Sequence, residues 1–231
     1  MKKFLKMLFL SITAVFFLAG TAAAIPVIDF GIAAPTAGSI SYNGGQAPLI
    51  GTAIEVDDVV GLDTPLNSTV KLTIFNGTLN FETGASNGQW SWGGGNDSFI
   101  ELWGAVDMNN NDVFDAGIDI SYQALMSGWF GDADVYYRSG MYHIAGGSFN
   151  DYKQQDLTDY FGLPACPWLY EGGFNISFNA VYTGLGDSFF STTVLSGDVV
   201  NTPVPEPATM LLLGSGLFGL AVLGRKKLFK K

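Results

Sequence analysis

Between residues 25 and 203 apolar side chains recur at every second position in short runs, broken by Gly, Asn, Asp and Ser. Runs rich in β-branched and aromatic residues with this period predict half-buried strands. They fall at Ser39–Tyr42, Leu49–Val60, Thr69–Phe75, Thr78–Thr83, Ser98–Val106, Ile118–Trp129, Asp134–Tyr137, Met141–Ala145, Phe174–Tyr182 and Ser188–Val200. The sharpest pattern is Val70–Phe75, then Asn76-Gly77, then Thr78–Glu82. Asn-Gly accepts the positive φ of a type I′ turn, so a hairpin is expected there. Leu72, Ile74, Leu79 and Phe81 should face a core, with Lys71, Thr73, Asn80 and Glu82 in water. No window carries a helical period, and residues 90–95 and 149–159 read as long loops. About ten short strands predict an all-β protein, a single β-sandwich or jelly-roll-like domain over residues 25–203. An outer-membrane barrel fits less well, because the alternation is irregular.

The two ends have a different texture. Residues 1–24 read as a signal peptide: Lys2, Lys3 and Lys6, an apolar run over 8–19, and a small-residue cleavage site with Ala22 and Ala24. Residues 208–224 are uncharged and long enough as a helix to cross most of a bilayer. The basic cluster behind them predicts a cytoplasmic C-terminus, so that the middle of the chain is exported. Just ahead stands Pro205-Glu206-Pro207, and just behind stands Arg225-Lys226-Lys227.

The order of these parts over Val204–Lys231 resembles the PEP-CTERM sorting signal. The resemblance implies export through the secretion translocon and transient anchoring in the inner membrane. It also implies recognition by an exosortase, a membrane cysteine transpeptidase, and a host that makes exopolysaccharide. Subsequent release or re-anchoring leaves the protein at the cell surface or outside the cell. Arg225 followed by two lysines departs slightly from tails that end in several arginines, while keeping the charge. The segment 83–102, with its Trp- and Gly-rich stretch, resembles the texture of other β-rich middles in this group, a likeness that implies no activity.

Charge sharpens the picture. The whole chain has a formal charge of −10. Only Lys71, Arg138 and Lys153 lie between residues 25 and 203, against twenty acids, so the middle is close to −17. Such a surface repels phosphate backbones and excludes ordinary nucleic-acid binding. One Cys and one His exclude an internal disulfide, a thiolate metal site and an imidazole cluster.

Two places carry candidate chemistry. Asp107, Asn109, Asn111 and Asp115 put oxygen side chains at positions one, three, five and nine, with the Val113 carbonyl at seven. A hard cation such as calcium wants this spacing, and the loop resembles those of EF-hands and dockerins. Asp112 stands where those loops have glycine, and Ile118 where they have a bidentate acid, with Asp119 one residue later. The alternative is a polar turn whose Asp and Asn cap their own backbone. Trp90 and Trp92, in a glycine-rich stretch, could stack on sugar rings or fill the core. His143 has no second His and no nucleophile motif beside it, and reads as structural. No catalytic residue is assigned. The expectation is therefore a non-enzymatic surface or matrix protein with a structural or adhesive role beside exopolysaccharide. The alternative is a carbohydrate-binding module or a glycan-acting enzyme.

Overall fold

The computed structural model describes residues 24–204 apart from 35 and 96, together with residue 215. The strands are β1 (Val27–Ile32), β2 (Ser39–Tyr42), β3 (Leu49–Leu62), β4 (Lys71–Glu82), β5 (Ser86–Gly88), β6 (Ser91–Gly93), β7 (Phe99–Val106), β8 (Ile120–Arg138), β9 (Met141–Lys153), β10 (Tyr170–Asn179), β11 (Phe189–Ser191) and β12 (Thr193–Pro203). One short helix, α1 (Gln155–Phe161), interrupts them. The all-β class read from the sequence holds. The two packed layers expected of it are joined into one antiparallel sheet, which runs β1-β12-β10-β9-β8-β7-β4-β3. Because β1 pairs with both β12 and β3, this path closes into a ring of eight strands. Closure pairs each of these eight strands on both sides, while β2 and β11 continue from β3, and β5 and β6 branch from β8, outside the ring.

The interior is apolar and aromatic. Phe81, Phe130, Phe149 and Phe174 meet at its middle, with ring centroids 5.2–6.3 Å apart. At one end Trp90, Tyr142, Phe178 and Phe189 pack together. At the other end α1 buries Leu157 and Phe161. Its first turn is capped by Gln154, whose side chain accepts from the Leu157 amide, and Gly162 closes it in the left-handed region at φ 69°. Glu55, Lys71, Glu101, Asp132, Asp134, Glu171, Asn175 and Asp198 point outward from the ring, exposed or half-buried. An apolar inside and an acidic outside invert the pattern of a lipid-facing barrel.

The expected hairpin at Asn76-Gly77 is corrected: β4 runs straight through it. The four core residues are buried as the alternation requires. Ile74 and Leu79, however, are five positions apart, so a regular strand would put them on opposite faces. A bulge restores the parity, seen as register breaks against β7 at Phe75/Thr78 and against β3 at Val56/Asp58. Asn76 takes φ 52°, and a Cβ on Gly77 would come within 2.1 Å of the Val56 carbonyl oxygen. The expected loops are also corrected. Residues 91–93 form β6 on the edge of β8, and 149–153 belong to β9 before α1 begins.

Candidate functional site

The β7–β8 connection, residues 107–119, is held by its own carboxylates. Asp107 is fully buried, and its Oδ2 accepts the Asp112 amide at 2.6 Å. The Asp119 carboxylate spans the loop, accepting from the Met108 amide at 2.9 Å and the Asp115 amide at 2.6 Å. Asn109 and Asn111 both donate to Asp115 Oδ2, at 2.8 and 2.7 Å, and hold its carboxyl below the usual carboxylate range. Asn111 Oδ1 accepts the Val113 amide at 2.9 Å, and Thr73 on β4 donates to Asp112. Asn110 and Asp112 take positive φ, which Asn and Asp tolerate best among side-chain-bearing residues. The structure thus brings Asn109, Asn111 and Asp115 together and sets Asp107 and Asp119 inward from them. Among the described residues no group of three His, Cys, Asp or Glu side chains forms a metal cage. One feature stays unsatisfied: Asp107 Oδ1 is buried and has no hydrogen-bond partner. A buried carboxylate oxygen without a partner is costly.

The expectation of a sugar platform at Trp90 and Trp92 is corrected. Their relative exposures are 1% and 0%, so neither offers a free ring face. Gln89 and Trp90 both take positive φ and form the tight turn between β5 and β6. Such a backbone is rare for a bulky residue. It is held because the indole packs on Tyr142, Phe189 and Tyr182 and donates to the Asp187 carbonyl at 2.8 Å. Trp92 donates to the Ala47 carbonyl at 3.0 Å and packs edge-on against Tyr42.

The outward aromatics lie elsewhere. On the outer face of β7, β8 and β9 stand Phe99, Trp103, Tyr122, Trp129 and Tyr152, each between 37% and 55% exposed. Trp103 pairs with Tyr122 at 6.2 Å, and Trp129 with Tyr152 at 6.1 Å. Phe99 and Trp103 are four residues apart on β7, about 13 Å along a strand. Polar groups sit between the rings: Glu101 opposes Ser127, and Ser127 opposes Tyr152. Glu101 also accepts from the Trp103 indole at 3.1 Å. His143, near the start of β9 and opposite Tyr136 of β8, stacks on that ring at 5.0 Å and has Nδ1 2.9 Å from Ser177 Oγ on β10.

β12 ends at Pro203, where the polypeptide leaves the ring. From that residue to Lys227 the chain matches the family model of the PEP-CTERM protein-sorting motif. The chain carries a PEP-CTERM tail. The matched segment contains Pro205, Glu206 and Pro207 and the basic Arg225, Lys226 and Lys227, the residues read as the sorting motif. Those six residues and Ala22 lie outside the described residues, whereas Ala24 is described and exposed. Among the described residues no helix is long and apolar enough to cross a membrane. The expected span at 208–224 lies outside them except for residue 215. A PEP-CTERM tail implies export, transient membrane anchoring and recognition by an exosortase. No curated protein and no solved structure matches the chain.

Proposed function

We propose that this PEP-CTERM protein is a non-enzymatic surface or matrix component that holds uncharged polysaccharide on the outer face of β7–β9. The supporting observation is the row of half-exposed rings there, interleaved with Glu101 and Ser127. Aromatic rings at a solvent-exposed sheet face stack on the C–H faces of sugars, while adjacent polar groups bind hydroxyls. The acidic exterior repels polyanionic glycans, so an uncharged polymer is the occupant. Removing one ring should weaken retention several-fold, the equivalent of about 0.5–1.5 kcal/mol. The test is affinity electrophoresis of the purified protein through a soluble uncharged glucan or through alginate. The glucan should retard wild type and release Trp103→Ala and Trp129→Ala, with melting temperatures unchanged. Equal retardation of the variants, or stronger retardation by alginate, would overturn the proposal.

A second reading concerns the 107–119 loop as a weak calcium site that stabilises the ring. The unpartnered, buried Asp107 Oδ1 favours it. One oxygen of that carboxyl is fixed by the loop's own amide, which leaves the other for a cation. Asp115, the two Asn side chains and the Val113 carbonyl would supply further oxygens, and Asp119 an inner carboxylate. Calcium at a hundred times its Kd would add about 2.7 kcal/mol to the folded state. At matched ionic strength, calcium should raise the melting temperature of wild type but not of Asp107→Asn, and magnesium should raise neither. An equal rise in both proteins, or with both ions, would leave only a polar turn.

A further inference from the structure

Lys153 is one of three basic residues between positions 25 and 203, and its side chain is fully buried inside the ring. Its Nζ pairs with Asp151 and lies 2.9 Å from Asn201 Oδ1. Phe30 and Tyr170 flank it, with ring centroids 5.9 and 5.1 Å away. Asp151 and Asn201 are themselves 0% exposed, and Asp151 Oδ2 has no partner. The backbone arranges this meeting. Asp151 and Lys153 are two apart on β9 and so share a face. Asn201 reaches them from β12 across β10, where it stands opposite Gly172. A Cβ on Gly172 would come within 2.6 Å of Asn201 Oδ1, so only glycine leaves that path open.

The geometry points to an intramolecular isopeptide bond between Lys153 Nζ and Asn201 Cγ, with Asp151 as the proton carrier. A charged pair in an aromatic shell with one carboxylate oxygen unsatisfied is an expensive arrangement. Moving the proton from Lys153 to Asp151 removes both charges. Burial drives this transfer, lowering the Lys153 amine to about 8 and raising the Asp151 carboxyl. The neutral amine is then a nucleophile held against the carboxamide. Its lone pair attacks Cγ, and the C=O electrons move to Oδ1. Asp151 gives its proton to the departing amide nitrogen and receives one from Nζ as the C=O re-forms. One C–N bond is made, one is broken, ammonia leaves, and nothing is oxidised or reduced. The product joins β9 to β12, the strand that leads directly into the sorting tail.

The test is peptide mapping by tandem mass spectrometry on the purified full chain, with intact mass measured on the same sample. Wild type should lack one ammonia and yield a branched peptide that carries both residues 153 and 201. Lys153→Ala, Asn201→Ala and Asp151→Ala should lose the branched peptide, and the last should do so while keeping a β-sheet circular dichroism spectrum. Succinimide formation at Asn76-Gly77 releases the same ammonia, so the site of loss decides the outcome. Separate, unmodified peptides containing Lys153 and Asn201 from wild type would overturn the bond. A cross-link that persists in folded Asp151→Ala would overturn the role of Asp151.

Discussion

Trp90→Ala separates a tryptophan of the core from a tryptophan of a binding face. The indole is 1% exposed and touches Tyr142, Tyr182 and Phe189, with centroids 5.2–6.0 Å away. Truncating such a side chain costs about 3–5 kcal/mol in transfer energy and residual cavity. The Asp187 carbonyl also loses the indole donor at 2.8 Å, which adds about 1 kcal/mol where water cannot replace it. Alanine does not relieve the positive φ of 62°, so no gain in backbone energy offsets the loss. For a domain of this size each kcal/mol lowers the melting temperature by about 2–4 °C, so the fall should be about 10 °C or more. Trp103→Ala and Trp129→Ala, on the outer face, should each stay within a few degrees of wild type. Thermal unfolding followed by circular dichroism compares all three. A Trp90→Ala shift no larger than that of Trp103→Ala would refute the core assignment and return Trp90 to the candidates for ligand contact.

The remaining predictions concern charge and sorting. Burial, then the neighbouring Asp198 and Asp58 carboxylates, push the Asp29 carboxyl up to about 6. In the unfolded chain it ionises near pH 4 and in the folded chain only near 6, so its effect on stability is a loss as pH rises between the two. Half-buried and partly screened, that loss is about 1 kcal/mol; Asp29→Asn should raise the melting temperature at pH 7.5 and leave it unchanged at pH 4. Glu206→Ala, or deletion of residues 225–231, should leave the C-terminal segment uncleaved or mislocalise the precursor. A wild-type mature chain that still ends at Lys231 by mass spectrometry would sink the reading of the tail as an exosortase substrate.

The alternation of apolar residues revealed which side chains of β4 face inward, because burial acts on each residue separately. It did not reveal the path of the strand. Asn76-Gly77 satisfies a hairpin turn and a bulge equally well at the local level, since both need positive φ. The choice is made by β3 and β7, which continue past the bulge on either side. The same ambiguity hid the outward aromatics. Each bulge reverses the parity of the residues beyond it, so the facing of Trp103 or Trp129 depends on register breaks such as Leu102/Trp103 that no short window contains. Trp90 misled for the opposite reason: the two central positions of its turn, Gln89 and Trp90, are not residues that usually take positive φ, and tertiary packing of the indole holds them there. At seven residues α1 is too short to show a period, and its Gln154 cap is a weak start signal. The 107–119 loop was legible because its polar residues are contiguous, but the burial of Asp107 beneath it was not.

Were the proposed polysaccharide face to carry load while the C-terminal end is anchored, the ring closure would set the path of that load. Tension applied through the PEP-CTERM tail enters at β12, because the matched segment starts at the last residue of that strand. An edge strand would peel one hydrogen bond at a time. β12 instead pairs with β10 along one side and with β1 along the other, so it cannot leave without opening the ring on both flanks. Counted either way round the closed path, β7 is four strands from β12. The aromatic face of β7–β9 is therefore centred away from the strand that leads into the sorting tail. A polymer seated there would load the ring through strands the tail does not touch. A Lys153–Asn201 bond would tie β12 to β9, the near margin of that face, so the load path from polymer to tail would run through a covalent link as well as through backbone hydrogen bonds.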